Sequence, residues 1–154
     1  MLTIYIDGDA FVNMLKPIVL KQIEKLKIPT VVVANKRVNI GKSQYVSYVI
    51  VKAGADEADN EIVTMLKEGD LVITADIPLA DRVITKGAHA IDHRGEFYTP
   101  ENIKQYLAMR NLMESIREMG ETTKGPKAFT NKDAEMFANS FNMFLQKYKP
   151  KTTS

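Results

Sequence analysis

Cysteine and tryptophan are absent from this chain of 154 residues, and histidine occurs only twice. Without cysteine there is no disulfide and no thiolate metal site, which fits a reducing compartment. Two histidines leave no Ser-His-Asp arrangement to pursue. A dominant charge is missing too: 21 Lys and Arg nearly balance 19 Asp and Glu, for a formal net charge of +2. That balance neither demands nor excludes a nucleic-acid partner, so the local distribution of charge must decide. Long apolar runs are also missing, and none approaches the roughly 20 residues needed to span a bilayer. The N-terminus does not read as a signal peptide, because its apolar run stops at Asp7 and no basic residue precedes it. The expectation is a soluble cytoplasmic protein with no membrane partner. Its length is that of one ordinary domain, and 45% hydrophobic residues suffice for a sizeable core.

The apolar residues that are present alternate between two periodicities. Short continuous runs at 2–6 (LTIYI), 28–35 (IPTVVVAN), 45–51 (YVSYVIV), 70–76 (DLVITAD) and 88–92 (AHAID) read as strands. Between them lie helical spacings. The first, through Phe11, Leu15, Ile23 and Leu26, becomes regular near Pro17, which is comfortable only in a first turn. A second helix spans 54–69, with Asp56 as N-cap, Ala58, Ile62, Met65 and Leu66 on one face, and Gly69 as its stop. A short helix covers 77–87, opened by a proline and closed by a glycine. A longer one covers 98–120, with Thr99 as cap, Pro100 at its first position and Ile103, Tyr106, Leu107, Met113 and Ile116 inward. After a linker at 120–127, a last helix starts at Thr130 with Asp133 as capping partner, carrying Phe137, Phe141, Leu145 and Tyr148. Strands that are apolar throughout and alternate with helices predict an α/β fold of three layers. Its central, mainly parallel sheet has about five strands and helices on both faces. Residues 1–149 read as a single domain, and 150–154 as a mobile polar tail.

In an open parallel sheet, ligands bind beyond the carboxyl ends of the strands. Asp7 and Asp9 follow the first strand, and Asp76 follows the fourth. Asp56, Asp59 and Glu61 begin the helix after the third. All are therefore expected on one edge. Taken singly, Asp56 and Asp76 are good helix caps and Asp7 a good turn residue. Taken together, several carboxylates crowded where the first and fourth strands adjoin repel one another unless a cation neutralises them. Mg²⁺ or Mn²⁺ suits such oxygen donors. Asp59, at the border of its helix's apolar face, is placed to point toward that edge.

The segments DGDA, VANKRVNI, VKAGADEADNEIV, GDLVITADIPLADRVITKGA, RGEFYTPENI and GPKAF closely resemble the YaiI/YqxD-type family of bacterial proteins, over residues 3 to 145. That family is similar to the PIN-like superfamily, whose active members are metal-dependent ribonucleases. The resemblance implies a PIN-like fold in which Asp7, Asp9, Asp59 and Asp76 form the acidic, catalytic cluster, with Asp81 as a weaker fifth metal ligand. It further implies an RNA or other phosphodiester substrate. The chain departs from the family pattern at Phe11-Val12, where a Cys-Pro pair is usual. It departs again at Gly8, His93 and Asn111, where Ala, Pro and Asp are usual. None of these changes removes a carboxylate from the inferred cluster. A non-catalytic nucleic-acid-binding or adaptor module of the same fold, or a small-molecule phosphatase, are the alternatives.

Other signals are weaker. IGKS (40–43) resembles the end of a Walker A loop, but Lys36 stands where that motif needs its first glycine. Lys36, Arg37 and Lys42, with Tyr45 and Tyr48, form a basic and aromatic stretch whose basic part follows the second strand. A solvated loop is its ordinary role, and a phosphate-backbone track its functional one. His89 reads as packing, and His93 with Arg94 as a candidate rim for phosphate.

Overall fold

The computed structural model describes residues 2–54, 56–121 and 128–147. The expected polar tail, Tyr148 and most of the expected linker lie outside these residues. One sheet is built from β1 (Ile4–Asp7), β2 (Thr30–Ala34), β3 (Val46–Ile50), β4 (Leu71–Ile73), β5 (His89–Ile91) and β6 (Phe97–Tyr98), in the order β3-β2-β1-β4-β5-β6. β1 to β5 pair in parallel, whereas β6 runs antiparallel to β5. The sheet thus has six strands where about five were expected. The sixth is two residues long, too short to show a period.

Strand parity divides the core in two. Ile4 and Ile6 of β1, Val32 of β2 and Leu71 and Ile73 of β4 face one way. They pack with Val19 and Ile23 of α1 (Lys16–Leu26) and with Phe137, Phe141, Phe144 and Leu145 of α5 (Asn131–Lys147). The Phe137 and Phe141 rings stack at 5.2 Å and are fully buried. Tyr5, Val33, Val72 and Ala90 face the other way. They pack against α2 (Glu57–Met65), α3 (Ile77–Thr85) and the first turns of α4 (Ile103–Glu118). This is the three-layer α/β arrangement that continuous apolar strands require, since both faces of a parallel sheet need cover. No described helix is long and apolar enough to cross a membrane.

Local chemistry sets the helix ends. Pro17 sits in the first turn of α1 after two short 3₁₀ turns. Thr130 and Asp133 close a reciprocal capping box on α5, with Asp133 Oδ2 accepting from Thr130 N at 3.0 Å and Thr130 Oγ1 accepting from Asp133 N at 3.2 Å. Two helices are shorter than expected. α2 stops at Met65, because Leu66 turns extended (ψ 138°) so that its side chain can enter the core. α4 starts at Ile103 rather than at Pro100. Asn102 precedes it and exchanges hydrogen bonds with Thr99 (2.8 and 3.0 Å). Past Leu107, α4 outruns the layer beneath it. Met113 and Ile116 are only half-buried, and Met109, Leu112 and Met119 are exposed.

The chain visits β2 and β3 on one side of β1, then crosses through α2 to β4 on the other side. The boundary between β1 and β4 is therefore the topological switch point, and its carboxyl edge is the expected place for a ligand.

Candidate active site

Parity places the first carboxylate. Asp7 follows Ile6 by one position, so it turns to the Tyr5 side of the sheet, toward α2 and α3. Register adds its neighbour: Ile6 pairs with Ile73, which sets Thr74 beside Asp7. The Thr74 hydroxyl donates to Asp7 Oδ2 at 3.0 Å and accepts from Asp76 N at 3.0 Å. Thr74 is fully buried, so it acts as a fixed strut between the ends of the two strands. Asp76 caps α3, its Oδ1 accepting from Leu79 N at 3.0 Å. Among the described residues its Oδ2 accepts no hydrogen bond. Asp59, in the first turn of α2, is half-buried, and its carboxylate accepts no hydrogen bond from any described residue.

These three acids share one field. Burial, then the charges of Asp76, Asp7 and Asp56, push the Asp59 carboxyl up to about 6, against a smaller pull from Arg82. Burial chiefly raises Asp7 as well; the Thr74 hydrogen bond opposes it, while the charges of Asp76 and Asp9 add to it. No described ion pair involves Asp7, Asp59 or Asp76. Asp70 makes the contrast plain. It is also buried, but each of its oxygens accepts a backbone N–H, from Thr3 (3.1 Å) and Lys67 (2.9 Å). Two backbone N–H groups likewise serve Asp92, from Arg94 at 2.8 Å and Glu96 at 2.9 Å. The fold gives these structural carboxylates backbone donors and gives Asp59 none among the described residues.

The other expected site residues are placed differently. Asp9 turns both oxygens to Asn35 N (3.0 Å each), so it ties β1 to the segment after β2. It reaches the cluster through its charge, which raises Asp7, and through its backbone N–H, which lowers it. Asp81, five residues into α3, is not among the charges that act on Asp7 or Asp59. Arg94 pairs with Asp133 at 3.5 Å and lies over the Phe129 ring at 5.6 Å, clamping the β5–β6 turn to α5. His93 is buried edge-on to Phe11. His89 packs edge-on against Phe144, as expected of a core histidine. Lys36, Arg37 and Lys42 line a separate hollow beside β3. Among the described residues no three His, Asp or Glu side chains stand close enough together to hold a metal ion.

Two arginines join the site that the sequence did not single out. A cleft of about 410 Å³ runs from Asp76, Ile77 and Pro78 to the projecting part of α4, where Arg110, Met113 and Arg117 form its far wall. Arg110 is held by Glu114 at 3.2 Å. Residues 110, 113, 114 and 117 share one helical face. That face was readable in the sequence, but nothing there said that it looks at Asp76. Thr74 was legible only once the β1–β4 register was known.

The sequence model described as "Uncharacterized BCR, YaiI/YqxD family" matches residues 5–147. The chain is 68% identical over 146 residues to a UPF0178 protein of Sulfurovum sp. (strain NBC37-1), covering 95% of this chain and 99% of the relative. It is 66% identical to the UPF0178 protein of Sulfurimonas denitrificans (94% and 95% covered) and 49% identical to that of Hahella chejuensis (94% and 96% covered). No solved structure gives a significant match.

Proposed function

The chain belongs to the YaiI/YqxD family, and from that premise we propose that it is a PIN-like, divalent-cation-dependent phosphodiesterase acting on RNA. The observation that carries this reading is the meeting of Asp7, Asp59 and Asp76 at the carboxyl edge of the β1–β4 switch point, near enough for their charges to raise Asp59. A fold keeps repelling carboxylates at a switch-point edge, without ion pairs, where a function needs them. Asp7, Asp59 and Asp76 offer only hard oxygen donors, which suits Mg²⁺ or Mn²⁺ in kind. As they stand they are not gathered about one point, so binding would require the Asp59 side chain to swing toward Asp7 and the capped Asp76.

A cation held there supplies positive charge to a phosphoryl oxygen and acidifies bound water. The chain's own groups do the rest. Thr74 orients Asp7, and the α3 cap fixes Asp76 while leaving Oδ2 for a ligand. Asp59, raised to about 6 while the edge holds no cation, would give up its proton as the cation binds and serve as a donor to it. Arg110 and Arg117 stand across the cleft, placed to fork onto phosphate oxygens and offset charge in the transition state.

Calorimetric titration with Mn²⁺ and a cleavage assay on a defined single-stranded RNA test this together. Binding in the millimolar range or tighter is expected, lost in Asp59→Asn, together with cleavage that requires the cation. Absence of both would remove the reading. The alternative is a non-catalytic nucleic-acid-binding module, favoured by the dispersed carboxylates. It takes over if the wild-type chain binds RNA and cation but cleaves nothing.

A further inference from the structure

The segment after β2 is held down at three places. Asp9 grips Asn35 N, buried Ile40 packs into the core under α1, and the Tyr48 hydroxyl accepts from Ile40 N at 3.1 Å. Gly41, with φ +127°, sits where an added Cβ would come within 2.5 Å of Leu20 Cδ2, so the segment lies tight on α1. Between this anchored segment and edge strand β3 opens a hollow of about 710 Å³. Register builds its floor: Val32 pairs with Tyr48 and Ala34 with Ile50, which sets four side chains together on one face. Tyr48 and Ile50 are 41% and 57% exposed, large apolar surface on a strand edge that a protein usually covers or charges. The rim carries Lys36, Arg37 and Lys42, and among the described residues no acidic side chain lines the hollow. None of the three cations has an ion-pair partner among the described residues.

A flat apolar and aromatic floor under an all-cationic rim matches a ligand with a planar apolar part and an attached anion. Asn39, Ser43 and Gln44 add donors and acceptors at the margin, of the kind that reads the edge of a heterocycle. We propose that this hollow is a base-and-phosphate subsite for single-stranded RNA: one nucleobase lies on Tyr48 and Ile50, and its phosphates meet Lys36, Arg37 and Lys42. It rests on the reading of the acidic edge only for the choice of RNA. Asp9 links the two places, since it follows β1 by two residues and holds Asn35, which leads directly into Lys36. A strand seated here would continue from β2 toward the carboxyl edge. A duplex would not fit, because its bases are stacked inside and offer no free face.

Binding, measured without cation so that no cleavage can occur, tests this separately from catalysis. The probes are a ten-nucleotide single-stranded RNA, the same sequence as a duplex, and vesicles containing an anionic phospholipid. The wild-type chain is expected to prefer the single strand. Ile50→Glu, at an exposed position, should weaken single-strand binding at least about tenfold through loss of the base platform. Lys36→Ala and Lys42→Ala should each flatten the log–log salt dependence by about 0.7. If Ile50→Glu does not fold, Ile50→Ser, which leaves the Tyr48 anchor in place, carries the same expectation. Equal loss of duplex binding would reduce the hollow to a plain phosphate track and overturn the base subsite. Vesicle binding that Ile50→Glu abolishes, with RNA binding unchanged, would overturn it in favour of a lipid. Single-strand binding lost in Ile50→Glu, by a wild-type chain that never cleaves, would keep this subsite and defeat the phosphodiesterase. Cleavage unaffected by Ile50→Glu at sub-saturating RNA would do the reverse.

Discussion

Replacing Asp76 separates its two jobs, capping α3 and charging the site. Asp76→Asn keeps an oxygen for Leu79 N and removes the charge; Asp76→Ala removes both. The cap is worth about 1 kcal/mol, and the favourable charge at the helix N-terminus about 0.3–1 kcal/mol. Against that loss stands relief of repulsion, since Asp76 is the foremost charge raising Asp59. The Asn variant should therefore stay within about 1 kcal/mol of wild type at pH 7 without cation. The Ala variant should lie about 1 kcal/mol below it, a gap of roughly 2–4 °C in Tm for a chain this long. The more direct readout is Asp59 itself. Its carboxyl should titrate below its value of about 6 in Asp76→Asn, but not as low as the ordinary value of about 3.9, because burial is the larger cause and remains. Carbon-detected NMR of the side-chain carboxyls, with thermal melts of all three proteins in chelator, measures both quantities. Cation-dependent cleavage should fall at least about a hundredfold in Asp76→Asn, as on loss of one preorganised electrostatic group. An Asp59 titration that does not move in Asp76→Asn would refute the coupling of the two acids. An Asn variant that unfolds would leave Asp76 a structural cap only.

Three further outcomes follow from named contacts. Because folding raises the Asp59 carboxyl to about 6, the native state binds its proton more tightly than the unfolded chain does. The contribution of Asp59 to cation-free stability should therefore fall as pH rises from about 4 to 6. Chemical denaturation across that range should show a shallower fall in Asp59→Asn than in wild type. Thr74→Val, isosteric at a fully buried site, leaves Asp76 N without its acceptor and Asp7 without its side-chain donor. It should cost about 1–3 kcal/mol in urea denaturation, and an unchanged midpoint would deny Thr74 its part as a strut. Gly95→Ala forces a Cβ to within 2.6 Å of the Met136 carbonyl oxygen at φ +88°. A loss of at least about 1 kcal/mol is expected, and a melt equal to wild type would mean that the β5–β6 turn does not press on α5.

The layers of this protein were legible in its residues. Runs such as TVVVA and LVI admit only strands buried on both faces, and Pro17, Thr130 and Asp133 mark their helix starts by local chemistry alone. That Asp7, Asp59 and Asp76 approach one edge also follows from the alternation of strand and helix, because parallel strands all end on the same side. What each acid does there is a matter of partners distant in sequence. Asp9 and Asp7 are two residues apart, yet one holds Asn35 and the other Thr74, and nothing in DGD distinguishes them. α4 carries Arg110 and Arg117 on a face that gains meaning only because the helix outruns its sheet and stands across from Asp76. The two residues of β6 form a strand only because β5 lies beside them. Periodicity is a property of neighbours along the chain, and it determined the elements. Charge coupling, clefts and register depend on which elements meet in space, and only the tertiary structure decided those.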